Sequence, residues 1–544
     1  MLKLNPLFSD HMMLQLGKPV VIFGSADPGK TVLVSLRDDS GKTEAEGAAA
    51  GSEDGTFILT LPALSPGLNK SLAVTDGMEL LTVSDVAVGE VWLAGGQSNM
   101  EYLMNTDAER DQEIEALKTI PEEVLRSIRF YDVPEISFEG AEEVFDFRNF
   151  GKWRTLTQED IVYFSAVSYY FQRKLSENLD VPIGVIGCNW GGSSASCWMP
   201  EKTIRGAGGE VWLQEYEEGL KNIPDLEAAF ELFKKSGGSL VSDPAKPNPF
   251  DRILFPGLSH QDQLQAMKMM ADAGAESAMA LIPQHPWRPC GLYDLMLKKV
   301  MPYTLRGFIW YQGCSDERHA DIYHNMMNAL IKRWREDFGG ETLPFITVQI
   351  APYGEWLGNS SENYPAVRRA QQETADTVEN VYLVSMGDAG MYYDIHPKHK
   401  RKPGERMAGL ALKYVYGKNI ACDAPRAEKM SYDGDTAVIS FRNGEGLRMT
   451  QPEDGGLTPE EARKVGFTDP DAPKKMNPEE NLISLIRTVP EGKISAEVSD
   501  DTLRISLTAD GRSVKPEKVE FAEMSYYEIN VVNGAGLPVY PFTL

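Results

Sequence analysis

The chain has 544 residues, which predicts about two to four domains, and its 42% of apolar residues is ordinary for a globular enzyme. A formal net charge of -26 argues against nucleic acid or an anionic membrane as the main partner, and no stretch reaches transmembrane length. The start of the chain lacks the long apolar core of a secretion signal, and the five cysteines form neither a disulfide framework nor a zinc pattern, so we expect a cytoplasmic protein with reduced thiols.

Short strands separated by turns are predicted for residues 1–87. The apolar run 20–24 ends before the turn Asp27-Pro-Gly-Lys30, and apolar side chains then alternate from Val32 to Leu36. Alternation with a period of two, beside turns rich in Gly and Pro, is typical of an antiparallel sheet. We therefore predict a small N-terminal β-sandwich-like domain.

Strands and helices alternate between residues 88 and 416. Five short apolar runs predict strands at Val91–Ala94, Ile183–Cys188, Gly307–Tyr311, Phe345–Ile350 and Val381–Met386. Apolar residues at helical spacing in the intervening segments, as at 167–175 and 323–334, predict amphipathic helices. This alternation predicts an α/β catalytic domain in which helices sandwich a parallel sheet.

Two further segments depart from this alternation. An insertion at about 200–289 is polar at first and then rich in Pro and Met; a lid, a substrate wall and a surface decoration all agree with its composition. After Tyr416 the β pattern returns, as in 436–441 and 503–507, so residues 417–544 are predicted to form a C-terminal β-sandwich-like domain.

Ser98 follows the first predicted strand of the catalytic domain, directly after Gly95-Gly96-Gln97. A hydroxyl at such a strand exit can attack a carbonyl, and the N–H of the same residue can help to hold the resulting oxyanion. A serine at the start of a helix can instead be a simple cap, and this segment alone favours the cap.

The other strand ends change that preference. Ligands of parallel α/β sheets bind beyond the carboxyl ends of the strands, where four loops of this chain would converge. These loops carry a serine, glycine N–H groups, an amide and a histidine beside an aspartate; they are Gly95–Met100, Asn189–Ser194, Gln312–Asp316 and Gly387–Pro397. Together they contain the groups that acyl transfer requires, so the convergence favours Ser98 as a nucleophile.

Four motifs occur in these loops, namely Gly96-Gln-Ser-Asn-Met-Glu101, Trp190-Gly-Gly-Ser193, Trp310-Tyr-Gln-Gly313 and Asp394-Ile-His-Pro397. In this order they resemble the motifs of the sialate O-acetylesterase family of SGNH hydrolases. Further matches lie near the beginning, middle and end of the chain, at 7–10, 334–335 and 536–542. The resemblance implies an SGNH-hydrolase-like sheet and a carbohydrate acetylesterase activity.

The resemblance also implies a role for each motif. Ser98 matches the family's nucleophile, and His396 matches the residue that acts first as general base and then as general acid. The oxyanion would be held by the N–H of Ser98, by an N–H of Gly191 or Gly192, and by the side chain of Gln312.

The sequence offers three candidates for the group that orients the His396 imidazole. Asp394 is the nearest carboxylate in sequence, but its spacing is tighter than the Asp-x-x-His of most SGNH enzymes. Asp388 and a backbone carbonyl are the alternatives. Asp394 is also a candidate N-cap, because Pro397 suits the first turn of the helix predicted to run towards Ala411.

Cys314 is the main departure from the family pattern, because the family usually has a glutamate after Gln-Gly. The thiol is either an alternative hydrogen-bonding group or a small apolar filler, and buried cysteines usually behave as the latter.

We predict a serine esterase that removes O-acetyl groups from a carbohydrate, with O-acetylated sialic acid as the substrate that the resemblance implies. Asn99, Trp190 and Tyr311 are candidate substrate-binding residues, although aromatic core packing also explains the last two. The other histidines lack metal-ligand spacing, so neither a metal nor a cofactor is expected. The alternatives are an acetylesterase of plant glycan fragments such as xylan or xyloglucan, and an inactive carbohydrate-binding scaffold. A cytoplasmic location would favour a small imported sugar over a polymer as the substrate.

Overall fold

The computed structural model describes residues 1–235, 243–245, 264–265, 268, 280–357, 359–360, 362–452 and 476–544. Within them the strands are, in chain order, β1 Lys3–Leu4, β2 Met13–Gln15, β3 Val20–Ser25, β4 Thr31–Arg37, β5 Thr43–Ala50, β6 Thr56–Leu61, β7 Gly67–Thr75, β8 Leu80–Gly96, β9 Ile128–Asp132, β10 Trp153–Thr155, β11 Ile183–Asn189, β12 Gly307–Tyr311, β13 Phe345–Val348, β14 Val381–Val384, β15 Arg426–Asp433, β16 Thr436–Arg442, β17 Arg448–Met449, β18 Ile486–Val489, β19 Lys493–Ser499, β20 Thr502–Ala509, β21 Arg512–Val514, β22 Lys518–Phe521, β23 Val531–Val532 and β24 Phe542–Thr543.

The α-helices of the same residues are α1 Ser98–Glu101, α2 Arg110–Leu117, α3 Glu122–Ser127, α4 Ala141–Val144, α5 Ala166–Ser176, α6 Glu201–Gly206, α7 Glu210–Lys221, α8 Leu226–Lys235, α9 Lys298–Val300, α10 Tyr323–Asp337, α11 Tyr364–Thr377, α12 Arg401–Tyr414 and α13 Pro478–Ser484. Short 3₁₀ turns lie at Met104–Thr106, Asp160–Tyr163, Ala195–Trp198 and Cys314–His319, and a π-helical turn at Tyr293–Leu297 leads into α9. No helix of the described residues is long and apolar enough to cross a bilayer.

The centre of the molecule is a sheet with the strand order β10-β9-β11-β8-β12-β13-β14. Every neighbouring pair from β9 to β14 is parallel, and only the edge strand β10 runs antiparallel to its neighbour β9. The predicted α/β class is therefore confirmed. Because the strands are parallel, the loops that follow β8, β11, β12, β13 and β14 leave the sheet at one edge.

Helices cover both faces of this sheet. The apolar residues of α5 and α12 belong to one buried cluster, and those of α10 and α11 belong to another. The helices predicted at 167–175 and 323–334 correspond to α5 and α10. The strands β9 and β10 were missing from the sequence prediction, since each is short and β9 directly follows the charged helix α3.

The strand β8 continues from the N-terminal sheet into the central sheet. Its first part pairs with β7 and its middle with β2, where Met13–Gln15 lie opposite Ala87–Gly89. Its last part, from Glu90 to Gly96, lies between β11 and β12. The predicted boundary between residues 87 and 88 thus falls inside one hydrogen-bonded strand.

The chain ends are rich in strands. The N-terminal part also contains the sheet β1-β3-β6, and β4 pairs with both β5 and β7. The C-terminal part contains the sheet β15-β16-β20-β19, with β21 beside β20, and two smaller sheets, β17-β23 and β18-β22-β24. Of the predicted insertion, α6 to α8 and residues 280–289 are described; most of residues 236–279 lie outside the described part, so a lid there stays a prediction.

Candidate active site

Ser98 is placed by a tight turn at the end of the central strand β8. Gly96 has φ 140°, and a Cβ there would lie 2.3 Å from the carbonyl oxygen of Tyr311, so this position requires glycine. Gln97 then accepts a hydrogen bond from the Gly313 N–H at 3.1 Å through its side-chain oxygen, and α1 begins at Ser98. The turn is therefore fastened to the loop after β12.

The structure brings Ser98 and His396 into contact across 298 positions of the chain. Ser98 Oγ lies 2.8 Å from His396 Nε2, the distance of a hydrogen bond that can pass a proton. On the other side of the imidazole, His396 Nδ1 lies 3.2 Å from Asp394 Oδ1. This arrangement favours the tautomer with the proton on Nδ1, which leaves Nε2 free to accept the proton of Ser98.

Asp394, and not Asp388, is the carboxylate beside the imidazole. Asp388 instead pairs with Arg406 at 2.7 Å and with Lys402 at 3.3 Å. The alternative role of Asp394 as a helix N-cap is wrong, because α12 begins at Arg401 and its N-cap is Lys400. The Asp394 carboxylate caps its own turn by accepting the His396 N–H at 2.7 Å.

Two buried lysines, which the sequence analysis did not consider, surround this pair. Lys398 Nζ lies 2.6 Å from Asp394 Oδ2, the oxygen that His396 does not use. Lys400 donates from Nζ to Asn99 Oδ1, and Asn99 Nδ2 donates to the Ile395 carbonyl at 3.1 Å. Asn99 therefore joins the segment that carries Ser98 to the segment that carries His396.

The lysines shape the protonation of the site. Burial would raise the pKa of Asp394, but the Lys398 ammonium and the hydrogen bond from His396 hold it below its ordinary value. Burial lowers the pKa of His396, and the charges of Lys398 and Lys400 lower it further. The hydrogen bond and charge of Asp394 oppose this shift, but the pKa of His396 remains below its ordinary value. Burial and the charge of Lys398 lower the pKa of Lys400 to about 7.

A lowered His396 pKa predicts a broad pH profile and a specific effect of Lys398→Met. The base is active when neutral, so kcat/KM should persist below pH 6.5 and fall only as the pH drops through the lowered value. Without the Lys398 charge the imidazolium is less disfavoured, so the acid limb of the kcat/KM profile should move to higher pH. Lys402→Met, which removes a lysine from Asp388 instead, is the control and should leave the limb in place; an unmoved limb in Lys398→Met would contradict the assignment.

Two backbone N–H groups are available for an oxyanion. The Ser98 N–H lies at the first position of α1, which has no intrahelical acceptor, and among the described residues the Gly192 N–H has no hydrogen-bond partner either. The Gly191 N–H is not available, since it donates to Glu101 Oε2. Of the two glycines expected to donate to the oxyanion, Gly192 therefore remains available. The Glu101 carboxylate holds the loop that contains both glycines.

The expected role of Gln312 does not fit its contacts. Its side chain is fully buried, and Nε2 donates to the Ser193 carbonyl at 3.1 Å and to the carboxylate of Asp316. Both amide hydrogens are thus used, and its oxygen accepts from Tyr323. Gln312 ties the loop after β11 to the loop after β12 and offers no donor to an oxyanion, which corrects the sequence assignment.

The three expected substrate-binding residues are also corrected. Trp190 is 2% exposed, Tyr311 is 1% exposed and Asn99 is 2% exposed, so none presents a surface to a sugar. Trp190 belongs to one core cluster and Tyr311 to the other, as the alternative of aromatic core packing proposed. Asn99 is occupied by Lys400 and the Ile395 carbonyl, as described above.

Two partly exposed tryptophans that the sequence analysis missed lie beside the site. Trp287, at the end of the insertion, donates from Nε1 to the Gly191 carbonyl at 2.7 Å. A Cβ on Gly192, which has φ 73°, would lie 2.4 Å from the Trp287 indole, so indole and glycine are matched. Trp356, in the loop after β13, packs on His396 with 5.1 Å between ring centroids and 80° between ring planes.

Cys314 lies in the loop after β12 and is buried. Burial raises the pKa of its thiol to about 11, although a hydrogen bond with Tyr364 opposes the shift, so the thiol is neutral at ordinary pH. A neutral buried thiol agrees with the role of a small filler. All five cysteines of the chain are free thiols.

The chain is similar in sequence to known carbohydrate esterases. The sequence profile of a family described as carbohydrate esterase, sialic acid-specific acetylesterase, matches residues 274–413, which include Asp394 and His396. The mouse sialate O-acetylesterase is 25% identical over 467 residues, which cover 80% of this chain and 77% of the mouse protein. The human sialate O-acetylesterase is 24% identical over 439 residues, which cover 75% of this chain and 70% of the human protein.

A solved structure shares the fold. The crystal structure of a carbohydrate acetylesterase from Xanthomonas citri superposes with a TM-score of 0.69, at 24% identity, over 100% of this chain and 99% of that chain. The similarity therefore extends over the strand-rich ends as well as the central sheet.

Proposed function

We propose that this carboxylic ester hydrolase, which is similar to sialate O-acetylesterases, removes O-acetyl groups from a carbohydrate through an acetyl-enzyme on Ser98. The observation that carries the proposal is the 2.8 Å contact between Ser98 Oγ and His396 Nε2, with Asp394 on the opposite ring nitrogen. This geometry argues against the alternative of an inactive scaffold.

Acylation begins with the proton of Ser98. His396 Nε2 accepts it while Oγ attacks the acetyl carbonyl, and the positive charge that forms on the imidazole is stabilised by Asp394. The oxyanion of the tetrahedral intermediate accepts hydrogen bonds from the N–H groups of Ser98 and Gly192. When the C–O bond to the sugar breaks, His396 gives its proton to the leaving oxygen.

Deacylation repeats these steps with water. His396 removes a proton from a water molecule as it attacks the acetyl carbonyl, and it returns the proton to Ser98 Oγ when the bond to acetate's carbonyl carbon breaks. Every proton taken by His396 is thus returned within one catalytic cycle, and Lys398 keeps the supporting Asp394 ionised throughout.

O-acetylated sialic acid is the substrate that we propose, because the family description and the curated relatives name sialate. We expect acetate release from O-acetylated sialic acid with a higher kcat/KM than from acetylated xylo-oligosaccharides, measured by an acetate assay at equal ester concentration. Turnover of the xylo-oligosaccharides alone would overturn the sialate assignment but not the acetylesterase. No hydrolysis of either substrate, nor of a chromogenic acetate ester, would overturn the acetylesterase itself.

A further inference from the structure

The side of Ser98 on which the leaving sugar lies follows from the proton transfer just described. His396 Nε2 must reach the leaving oxygen, whereas the carbonyl oxygen turns towards the N–H groups of Ser98 and Gly192. The sugar therefore lies on the imidazole side of the nucleophile. A side chain that extends from the imidazole into solvent is consequently its nearest protein surface.

Trp356 is a partly exposed aromatic residue that packs on this imidazole. Its indole packs on the His396 imidazole with 5.1 Å between ring centroids, and the residue as a whole is partly exposed, although its Nε1 atom is buried. An indole is a flat apolar surface with a polarised π-system, which suits the face of a pyranose ring formed by C–H groups.

The loop of Trp356 is fastened to the loop of His396. The N–H groups of Gly354 and Glu355 donate to the Tyr392 carbonyl at 2.9 and 2.8 Å, and Tyr353 forms a bridge with Met391. A Cβ on Gly354 would lie 2.6 Å from the Tyr392 ring, so only glycine allows this close approach. The segment that supports Trp356 is thus the same one that leads to Asp394 and His396.

The C-terminal part of the chain supports this pair of loops. The Tyr353 N–H donates to the Ser525 carbonyl at 3.3 Å, and the rings of Tyr392 and Tyr526 pack at 5.0 Å. Arg368 reinforces the contact by donating to the carbonyls of Met524 and Ser525, each at 2.8 Å. The position of the indole relative to the imidazole is therefore held from two sides.

We propose that Trp356 forms the subsite for the leaving sugar, where it binds the C–H face of the pyranose ring that carries the acetyl ester. This inference rests on the proposed acetylesterase function and names the part of the substrate that Trp356 recognises. Trp356 would thus determine the selectivity for the alcohol half of the ester, whereas the acetyl half is common to all substrates.

The test compares an acetylated pyranose with methyl acetate, whose leaving group is too small to cover the indole. For Trp356→Ala, the ratio of kcat/KM for the acetylated sugar to kcat/KM for methyl acetate should fall about tenfold. Trp356→Phe keeps an aromatic face and should recover most of the ratio. Tyr414→Ala removes an exposed ring near the end of α12 and is the matched control; its ratio should equal that of the unmodified protein.

Each outcome decides between two roles. An unchanged ratio in Trp356→Ala, whether the two substrates lose activity equally or not at all, would overturn the subsite, and an equal loss would assign Trp356 to the support of His396. Failure of the proposed function is distinguishable, since the unmodified protein would then hydrolyse neither ester. The melting temperature of each variant shows whether folded protein is being compared.

Discussion

Ser98→Ala should abolish ester hydrolysis, with kcat falling roughly a million-fold to the level that binding and the remaining N–H donors supply. The variant removes the hydroxyl that we propose to form the acetyl-enzyme; within the described part of the chain, the side-chain partner of this hydroxyl is His396. The measurement is kcat for a chromogenic acetate ester, together with the mass of the protein after rapid quenching with substrate. The unmodified protein should carry an acetyl group on Ser98, and the variant should not.

A second serine provides the control for this result. Ser176→Ala, in α5, removes a hydroxyl whose partner among the described residues is the Arg173 carbonyl, and it should leave kcat unchanged. Substantial hydrolysis by Ser98→Ala, or acetylation at another residue, would contradict the proposed nucleophile.

Asp394→Asn should lower kcat about a thousandfold or more while leaving KM nearly unchanged. Asparagine lacks the charge that stabilises the imidazolium. Its amide nitrogen would also face a donor in either orientation, namely the His396 N–H or the Lys398 ammonium, so the imidazole would lose its orienting partner. The loss should be equal for sugar esters and simple esters, because orientation of the imidazole does not depend on the leaving group. The measurement is kcat and KM for both classes of ester.

Asp388→Asn is the matched control, because Asp388 was the alternative orienting group. Burial would raise the Asp388 pKa, but the charge and hydrogen bonds of Arg406 bring it to about 2, so this carboxylate is ionised at neutral pH. Its loss should lower the melting temperature and leave kcat of the folded protein near that of the unmodified protein. The reverse pattern, with kcat lost in Asp388→Asn and kept in Asp394→Asn, would reassign the orienting carboxylate.

The convergence of distant motifs was predictable, because parallel strands bring the loops at their carboxyl ends to one edge. That rule alone places Ser98 near His396, and it needs only the apolar runs of β8, β11, β12 and β14. The α/β class follows from the same alternation.

The contacts of individual polar side chains were not predictable in this way. Lys398 and Lys400 lie in a polar run that is typical of exposed surface, yet both are buried because Asp394 and Asn99 accept their hydrogen bonds. Gln312 carries the right groups for an oxyanion donor, but Asp316, four residues later, occupies them.

The predicted sugar contacts of the aromatic residues were wrong for a related reason. Proximity in sequence to a motif suggested Trp190 and Tyr311 as sugar contacts, but their side chains turn into the two cores on either side of the sheet. Trp287 and Trp356 lie beyond the motifs, and only the tertiary fold brings them beside Gly192 and His396.

The continuity of β8 makes the N-terminal region part of the catalytic scaffold. The strand that ends two residues before Ser98 is hydrogen-bonded at its other end to β7 and β2, so a cleavage after residue 87 would sever a single ladder and strip Met13–Gln15 from its partner. The first residues of the chain and the catalytic sheet therefore share one continuous strand.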